Sequence, residues 1–117
     1  MRKKPPSESQ LADIARIFAI LSDRSRLLLL NTLRESPCYV TELCRKTGLK
    51  QANVSKQLGL LKSAELVTTQ RDGNLVQYSI TEPMIFDICE LVCSKIERDA
   101  RRRIQAFRTE RTMAARR

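Results

Sequence analysis

Residues 36–80 constrain the fold of this chain more than any other stretch. They predict a short helix, a turn that contains glycine, a second helix and then two β-rich runs. Thr41 is suited to cap the first helix, and Gly48 is suited to end it because glycine readily takes a left-handed backbone conformation. Asp72 and Gly73 lie between the β-rich runs and are typical of a hairpin turn. This order predicts a winged helix-turn-helix, a mainly α-helical fold with a small β-hairpin wing.

The second helix of this stretch, from about Gln51 to Ala64, has one apolar side and one polar side. Val54, Leu58 and Leu61 recur at intervals of three and four residues, which predicts one buried stripe. The opposite side carries amides, a hydroxyl and a lysine without any carboxylate, a composition suited to base edges and phosphates. The alternative is an ordinary solvated helix beside a surface hairpin. We predict contacts to DNA from Lys50, Gln51, Asn53, Ser55, Lys56, Gln57, Arg71 and Asn74.

Amphipathic helices are predicted on both sides of this stretch, so the fold has about five helices. Leu11 and Phe18 mark one face of a helix over residues 9–21, and Ile88 and Val92 mark one face of the last helix. No internal repeat or second domain is evident. The predicted organisation is a flexible arm at 1–8, one winged-helix dimer domain at 9–107 and a basic, disordered tail at 108–117.

The net charge of +9 favours a polyanionic partner, but it is unevenly distributed. Residues 95–117 hold nine of the basic residues and three of the acidic ones. This segment therefore carries most of the net positive charge, and residues 1–94 carry the smaller part. An alternative role for the tail is therefore an additional, nonspecific grip on phosphates. No apolar run approaches the ~20 residues of a membrane span, and the first ten residues lack the apolar core of a secretion signal. We expect a cytoplasmic protein without a membrane partner.

The chain resembles the ArsR/SmtB family of small bacterial repressors. The matching residues are FAILSDRSRLLLLNTL (18–33), VTELCRKTGLKQANVSKQLGLLKSAELV (40–67) and RDGNLVQYSI (71–80). The resemblance implies a homodimer that forms through its first and last helices and binds a double-stranded DNA operator. It also implies repression that is relieved when an inducer, often a metal ion or an oxidant, acts on the dimer.

Four cysteines raise the question of sensing. In the predicted cytoplasmic setting, permanent structural disulfides are not expected, and any one thiol can simply be a small buried hydrophobe. Cys89 and Cys93 are four residues apart and therefore share a helix face, where a disulfide between them is awkward. An oxidised bond would instead join one of them to another cysteine or to the other subunit. The candidates for redox sensing are Cys44, Cys93 and Cys89, and the candidates for metal binding are Cys38, Cys44, Cys89 and Cys93.

Two departures from the family narrow the chemistry. Cys44 stands in TELCRK, which is similar to the family's ELC-x-C metal-sensing motif, but Lys46 occupies the position of the second cysteine. Cys38 is a candidate replacement for it. The chain also has no histidine, so the family's zinc and nickel sites built from Asp, His and Glu on the last helix are not expected. Thiol chemistry is the option that remains.

The sequence predicts a DNA-binding repressor that is released by cysteine-based sensing of oxidant or reactive sulfur. Arg45 and Lys46 beside Cys44, and Lys95 near Cys93, are expected to lower a thiol pKa. The alternative is a repressor whose cysteines bind As(III), Cd(II), Cu(I) or an iron–sulfur cluster. A third hypothesis is an architectural winged-helix protein that senses nothing. An enzyme is not expected, because histidine, a Gly-rich phosphate loop and a nucleophile elbow are all missing.

Overall fold

The computed structural model describes residues 4–115, which form five helices and one three-stranded antiparallel sheet. Two compact units are divided between Glu82 and Pro83. The second unit contains α5 (Met84–Ala115). The first unit contains α1 (Glu8–Leu21), α2 (Arg24–Glu35), β1 (Cys38–Tyr39), α3 (Val40–Thr47), α4 (Gln51–Ser63), β2 (Val67–Asp72) and β3 (Leu75–Ile80). The predicted winged helix-turn-helix, with about five helices and a hairpin wing, is confirmed.

Side chains cap the first two helices. Ser7 and Gln10 form a reciprocal capping box at the start of α1, where the Ser7 hydroxyl accepts from the Gln10 N–H and the Gln10 side chain accepts from the Ser7 N–H. Asp23 caps α2 by accepting a 3.0 Å hydrogen bond from the N–H of Arg26. Of the predicted flexible arm, residues 1–3 lie outside the described part of the chain, and Glu8 already belongs to α1.

The first helix of the helix-turn-helix begins two residues earlier than it would if Thr41 were its N-cap. Tyr39 is the N-cap, and the Glu42 carboxylate accepts a 3.0 Å hydrogen bond from the Tyr39 N–H. The reason is tertiary, because β1 pairs with β3 and holds Tyr39 in extended backbone up to the first residue of α3. The helix ends at Gly48 with φ +75°, the left-handed conformation that was predicted.

Leucine and valine side chains of the first unit form a core between α2, α3, α4 and the sheet. The fully buried members include Leu29 on α2, Leu43 on α3 and Leu58 on α4. The predicted apolar stripe of α4 is confirmed, since Val54, Leu58 and Leu61 are all buried. Burial of one such leucine stabilises the fold by about 1.5–3 kcal/mol, so this core holds α4 firmly and leaves its other side available.

The sheet has the strand order β1-β3-β2. In the hairpin, Val67 pairs with Ile80 and Asp72 pairs with Leu75, and Gly73 takes φ +62° at the turn. Residues 67–80 form the wing. Glu65 also has a positive φ of 60°, because the chain reverses between α4 and β2 in a turn closed by the Leu66 N–H to the Leu61 carbonyl at 3.0 Å.

The last helix is longer than the sequence predicted. Residues 108–115 continue α5 as helix, where a disordered tail was predicted, and residues 116–117 lie outside the described part of the chain. Ion pairs one turn apart stabilise its middle, for example Lys95 with Asp99 and Arg101 with Glu97. Neither proline nor glycine interrupts the chain after Pro83. Between residues 4 and 115, no helix is both long and apolar enough to cross a membrane.

Candidate nucleic-acid interface and cysteine positions

The N-terminal turn of α4 and the tip of the wing expose most of the predicted DNA-contacting side chains. Lys50 is the N-cap of α4 and makes no capping hydrogen bond with its side chain. The first N–H groups of a helix have no partner inside it, and their partial positive charge favours a phosphate. Asn53 is half-buried, whereas the exposed predicted contacts are Lys50, Gln51, Ser55, Lys56, Arg71 and Asn74.

Gln57 departs from the predicted exposed face. Gln57 is only 8% exposed. Other side chains form hydrogen bonds with both the oxygen and the nitrogen of its carboxamide. A glutamine in this position does not extend into a DNA groove. The helical period placed Gln57 beside Lys56 on the polar side of α4, but α2 covers it, because Arg26 on α2 donates directly to its oxygen. The placement of Gln57 on the exposed face was therefore wrong.

Arg26 is a residue of the candidate site that the sequence reasoning missed. Its guanidinium donates to the carbonyls of Ala19 and Ile20 at the end of α1, at 3.3 and 2.6 Å, and to Gln57 Oε1 at 2.8 Å. Gln57 Nε2 in turn donates to Asn53 Oδ1 at 3.0 Å. These bonds connect the end of α1 to the polar side of α4. No local pattern predicts them, since 31 residues separate Arg26 from Gln57.

A second tertiary contact holds the wing. The Tyr39 hydroxyl donates a 3.0 Å hydrogen bond to Asp72 at the hairpin turn. This hydrogen bond and the charge of Asp72 raise the pKa of Tyr39 above its ordinary value of 10.0. The contact occupies the acidic group at the wing tip, next to the exposed side chains of Arg71 and Asn74. Sequence reasoning missed Tyr39, because only the pairing of β1 with β3 brings it toward the wing.

The cysteines of the first unit lie in different environments. Cys38 is fully buried, its thiol donates to the carbonyl of Ser36, and the Lys46 ammonium lies 3.6 Å from its sulfur. Cys44 is half-buried on α3. Lys46, which replaces the second cysteine of the family motif, therefore places its ammonium beside the sulfur of Cys38.

The cysteines of the second unit are exposed. Cys89 and Cys93 lie one turn apart on α5, and the Cys93 thiol donates to a Glu97 carboxylate oxygen at 3.6 Å. The charge of Glu97 and this hydrogen bond raise the pKa of Cys93. Lys95 pairs with Asp99 instead, so the expectation that Lys95 lowers the pKa of Cys93 was wrong. In the part of the chain that the structure describes, no three Cys, Asp or Glu side chains gather as metal ligands.

These features define a winged-helix DNA-binding protein, in which the N-terminal turn of α4 and the tip of the wing expose polar and basic side chains. Similarity to known proteins gives the family. Residues 23–69 match the family described as bacterial regulatory protein, arsR family. The transcriptional regulator NmtR of Mycobacterium tuberculosis is 33% identical over 90 residues, which cover 76% of this chain and 75% of NmtR. The chain belongs to the ArsR family and is a transcriptional repressor of that family.

Solved structures support the same placement. The crystal structure of Rv0081 from M. tuberculosis has a TM-score of 0.73 at 33% identity, and the match covers 84% of this chain and 99% of Rv0081. The crystal structure of AntR, an antimony-specific transcriptional repressor, has a TM-score of 0.74 at 27% identity, and that match covers 86% of this chain and 92% of AntR. The resemblance found in the sequence is thus confirmed over most of the chain.

Proposed function

We propose that this repressor binds its operator as a homodimer and is released when its exposed cysteines are modified by an oxidant or by reactive sulfur. The observation that carries the proposal is the exposure of Cys89 and Cys93 on adjacent turns of α5. Exposed thiols on a DNA-binding regulator are accessible to small electrophilic oxidants. The DNA contacts are assigned to the N-terminal turn of α4 and to the wing.

The homodimer is supported by apolar side chains that remain exposed on two helices. On α1, Leu11 and Phe18 are 52% and 53% exposed. On α5, Leu91 and Ile96 are 73% and 61% exposed. Such surfaces on a small regulator are typical of protein interfaces rather than of solvated faces. A second copy of this chain would cover both and would place two α4 helices on successive half-sites of the operator.

The sensing step follows from the positions of the two exposed thiols. The thiolate of one cysteine attacks a hydroperoxide, the O–O bond breaks, water or an alcohol leaves, and a sulfenic acid forms. A second thiol then attacks that sulfur and releases water, so two thiols lose two electrons to the peroxide. The Glu97 carboxylate disfavours the thiolate of Cys93, which favours Cys89 as the first nucleophile. Because a bond from Cys89 to Cys93 is awkward within one helix, the second thiol is assigned to the partner subunit.

The second candidate function is sensing of a soft metal ion or an iron–sulfur cluster. The structural likeness to AntR, whose name declares it antimony-specific, favours this candidate. Cys44 stands at the family's metal-sensing position, with Cys38, Cys89 and Cys93 as the further thiolates. All-thiolate coordination suits As(III), Cd(II), Cu(I) or a cluster. The Lys46 ammonium beside Cys38 is an obstacle to this candidate, because it already occupies one side of that sulfur.

Native mass spectrometry of protein purified without air, before and after hydrogen peroxide, tests the proposal. We expect a bare dimer that loses two hydrogens per disulfide, and we expect DNA selected by the reduced protein to dissociate in parallel. The Cys89→Ser variant should remain on DNA after peroxide, and Cys38→Ser, which alters a buried thiol, is the matched control. Release of the Cys89→Ser variant at the normal peroxide dose would refute the assignment. A bound metal, or iron with sulfide, would establish the second candidate instead.

A further inference from the structure

We infer that Asn53 reads the operator as a hydrogen-bond donor, because a one-way chain of hydrogen bonds from Arg26 turns its NH2 group outward. The operator base that Asn53 contacts should therefore present an acceptor in the major groove, and guanine, with two acceptors, fits best. The inference rests on the proposed role of α4 as the recognition helix. Beyond that role, it states which bases one position of that helix selects and which residues behind that position impose the choice.

The chain of hydrogen bonds begins at a group that can only donate. A guanidinium carries five N–H donors and no acceptor. Arg26 is anchored by two of its nitrogens on the carbonyls of Ala19 and Ile20 at the end of α1, and the Ala19 carbonyl also accepts from the N–H and the hydroxyl of Ser22. Its side chain is only 14% exposed, and Asp23 lies 4.0 Å away. The remaining nitrogen, Nη1, therefore points at Gln57 in a fixed orientation.

The orientation of Gln57 follows from that of Arg26. Its oxygen must face the guanidinium, since a flipped amide would bring two sets of donors together in a nearly buried position. The Gln57 NH2 group then faces Asn53 and donates to its oxygen at 3.0 Å. Each amide in the chain thus has a defined direction, which is set by hydrogen bonding rather than by the similar shapes of oxygen and nitrogen.

At the end of the chain, the oxygen of Asn53 already accepts from Gln57, whereas its NH2 group makes no hydrogen bond among the described residues and is left for an outside partner. The two-point contact by which asparagine recognises adenine needs both the amide oxygen and the amide nitrogen turned toward the base. In this structure, the oxygen of Asn53 is directed at Gln57 on the next turn of α4. An NH2 group alone fits the O6 and N7 acceptors of guanine and opposes the N4 amino group of cytosine.

A single substitution should reverse the direction of this chain. In Gln57→Glu, a carboxylate that only accepts would pair with Arg26 and turn its second oxygen toward Asn53. Asn53 would then flip, donate to Glu and present its oxygen outward. The preferred base should change to one that offers a donor, cytosine or adenine. Gln57→Met keeps the size of the side chain but ends the chain of hydrogen bonds, and it should flatten the preference instead.

The test is selection of operator duplexes from a randomised library by the full-length protein, followed by sequencing. The position that Asn53 reads is the one where Asn53→Ala abolishes the base preference. At that position, we expect wild type to prefer guanine by roughly tenfold over cytosine. We expect Gln57→Glu to reverse this order, although its added charge weakens binding to every sequence. Relative preferences within each variant are compared, so this general loss does not affect the result.

Asn53→Asp provides a second variant on a more accessible side chain, in case Gln57→Glu does not fold. Its carboxylate accepts from Gln57 and presents a second acceptor outward, so it should also prefer cytosine. An unchanged base order in the folded reversal variants, or no position that responds to Asn53→Ala, would overturn the inference. A wild-type protein that selects no sequence at all would instead overturn the proposed DNA-reading role of α4.

Discussion

Tyr39 and Asp72 are 33 residues apart in the chain, yet a 3.0 Å hydrogen bond joins them, from the residue that caps α3 to the turn of the wing. The pair couples the helix-turn-helix to the hairpin without any covalent constraint. It also gives the wing a titratable element, because the bond needs the protonated phenol of Tyr39 as its donor.

The Tyr39–Asp72 pair predicts a pH dependence at the alkaline end. The pKa of Tyr39 is raised in the folded protein, so the stabilisation is fully present below the ordinary tyrosine pKa and is lost as pH rises through the raised value. Ultraviolet titration at the tyrosinate band should show one tyrosine ionising late. That late step should disappear in Tyr39→Phe and persist in Tyr78→Phe. A late step that survives in Tyr39→Phe would contradict the assignment.

A stability prediction concerns Glu65, whose φ of 60° is left-handed. A non-glycine residue in this conformation costs roughly 1–2 kcal/mol, whereas glycine adopts it freely but loses more entropy on folding. Glu65→Gly should therefore raise the free energy of unfolding by about 0.5–1 kcal/mol. Urea denaturation measures the change. Glu65→Ala keeps a β-carbon at the strained position and is the control, so an equal gain from alanine would show that backbone strain is not the cause.

The exposed thiol of Cys93 should be less reactive than a free cysteine near neutral pH. Glu97 raises the pKa of Cys93 through its charge and a hydrogen bond, and only the thiolate is an effective nucleophile. Glu97→Gln should therefore increase the rate at which iodoacetamide alkylates Cys93, as followed by peptide mass spectrometry between pH 7 and pH 9. Glu110→Gln changes a carboxylate farther along the same helix and should leave that rate unchanged. Equal rates in wild type and Glu97→Gln would be inconsistent with this role.

The arginines of α5 from residue 98 onward test whether this basic segment binds phosphates. Arg98, Arg103 and Arg108 form no ion pair within the described residues, in contrast to Arg101, which pairs with Glu97. If they bind DNA, their joint replacement by glutamine should flatten the logarithmic salt dependence of binding by about 0.9 for each phosphate that the variant no longer neutralises. Fluorescence anisotropy across a salt series measures this slope.

The control for the arginine variant is Thr109→Ala with Thr112→Ala, which alters the same segment without changing its charge. Both variants should keep the base preference of wild type, since phosphate contacts carry no sequence information. An unchanged slope in the arginine variant would show that this segment does not bind DNA phosphates and instead faces the solvent or another partner.

Much of the fold follows from local patterns that the sequence displays. The order of helices and strands, the end of α3 at Gly48 and the hairpin at Gly73 depend on backbone preferences and on spacing within a few residues. The apolar stripe of α4 followed in the same way, because Val54, Leu58 and Leu61 recur with the helical period. Each of these features is determined by the residues of a single segment, so the sequence of that segment is enough to predict it.

The details of the candidate site depended on contacts between distant segments. Helical spacing placed Gln57 with the exposed polar residues, but Arg26 buries it and turns it into a connection to Asn53. Thr41 has the chemistry of a helix cap, yet strand pairing at Tyr39 starts α3 two residues earlier. Spacing tells which side of an element a residue is on, whereas the neighbour that covers that side is decided only when the chain folds.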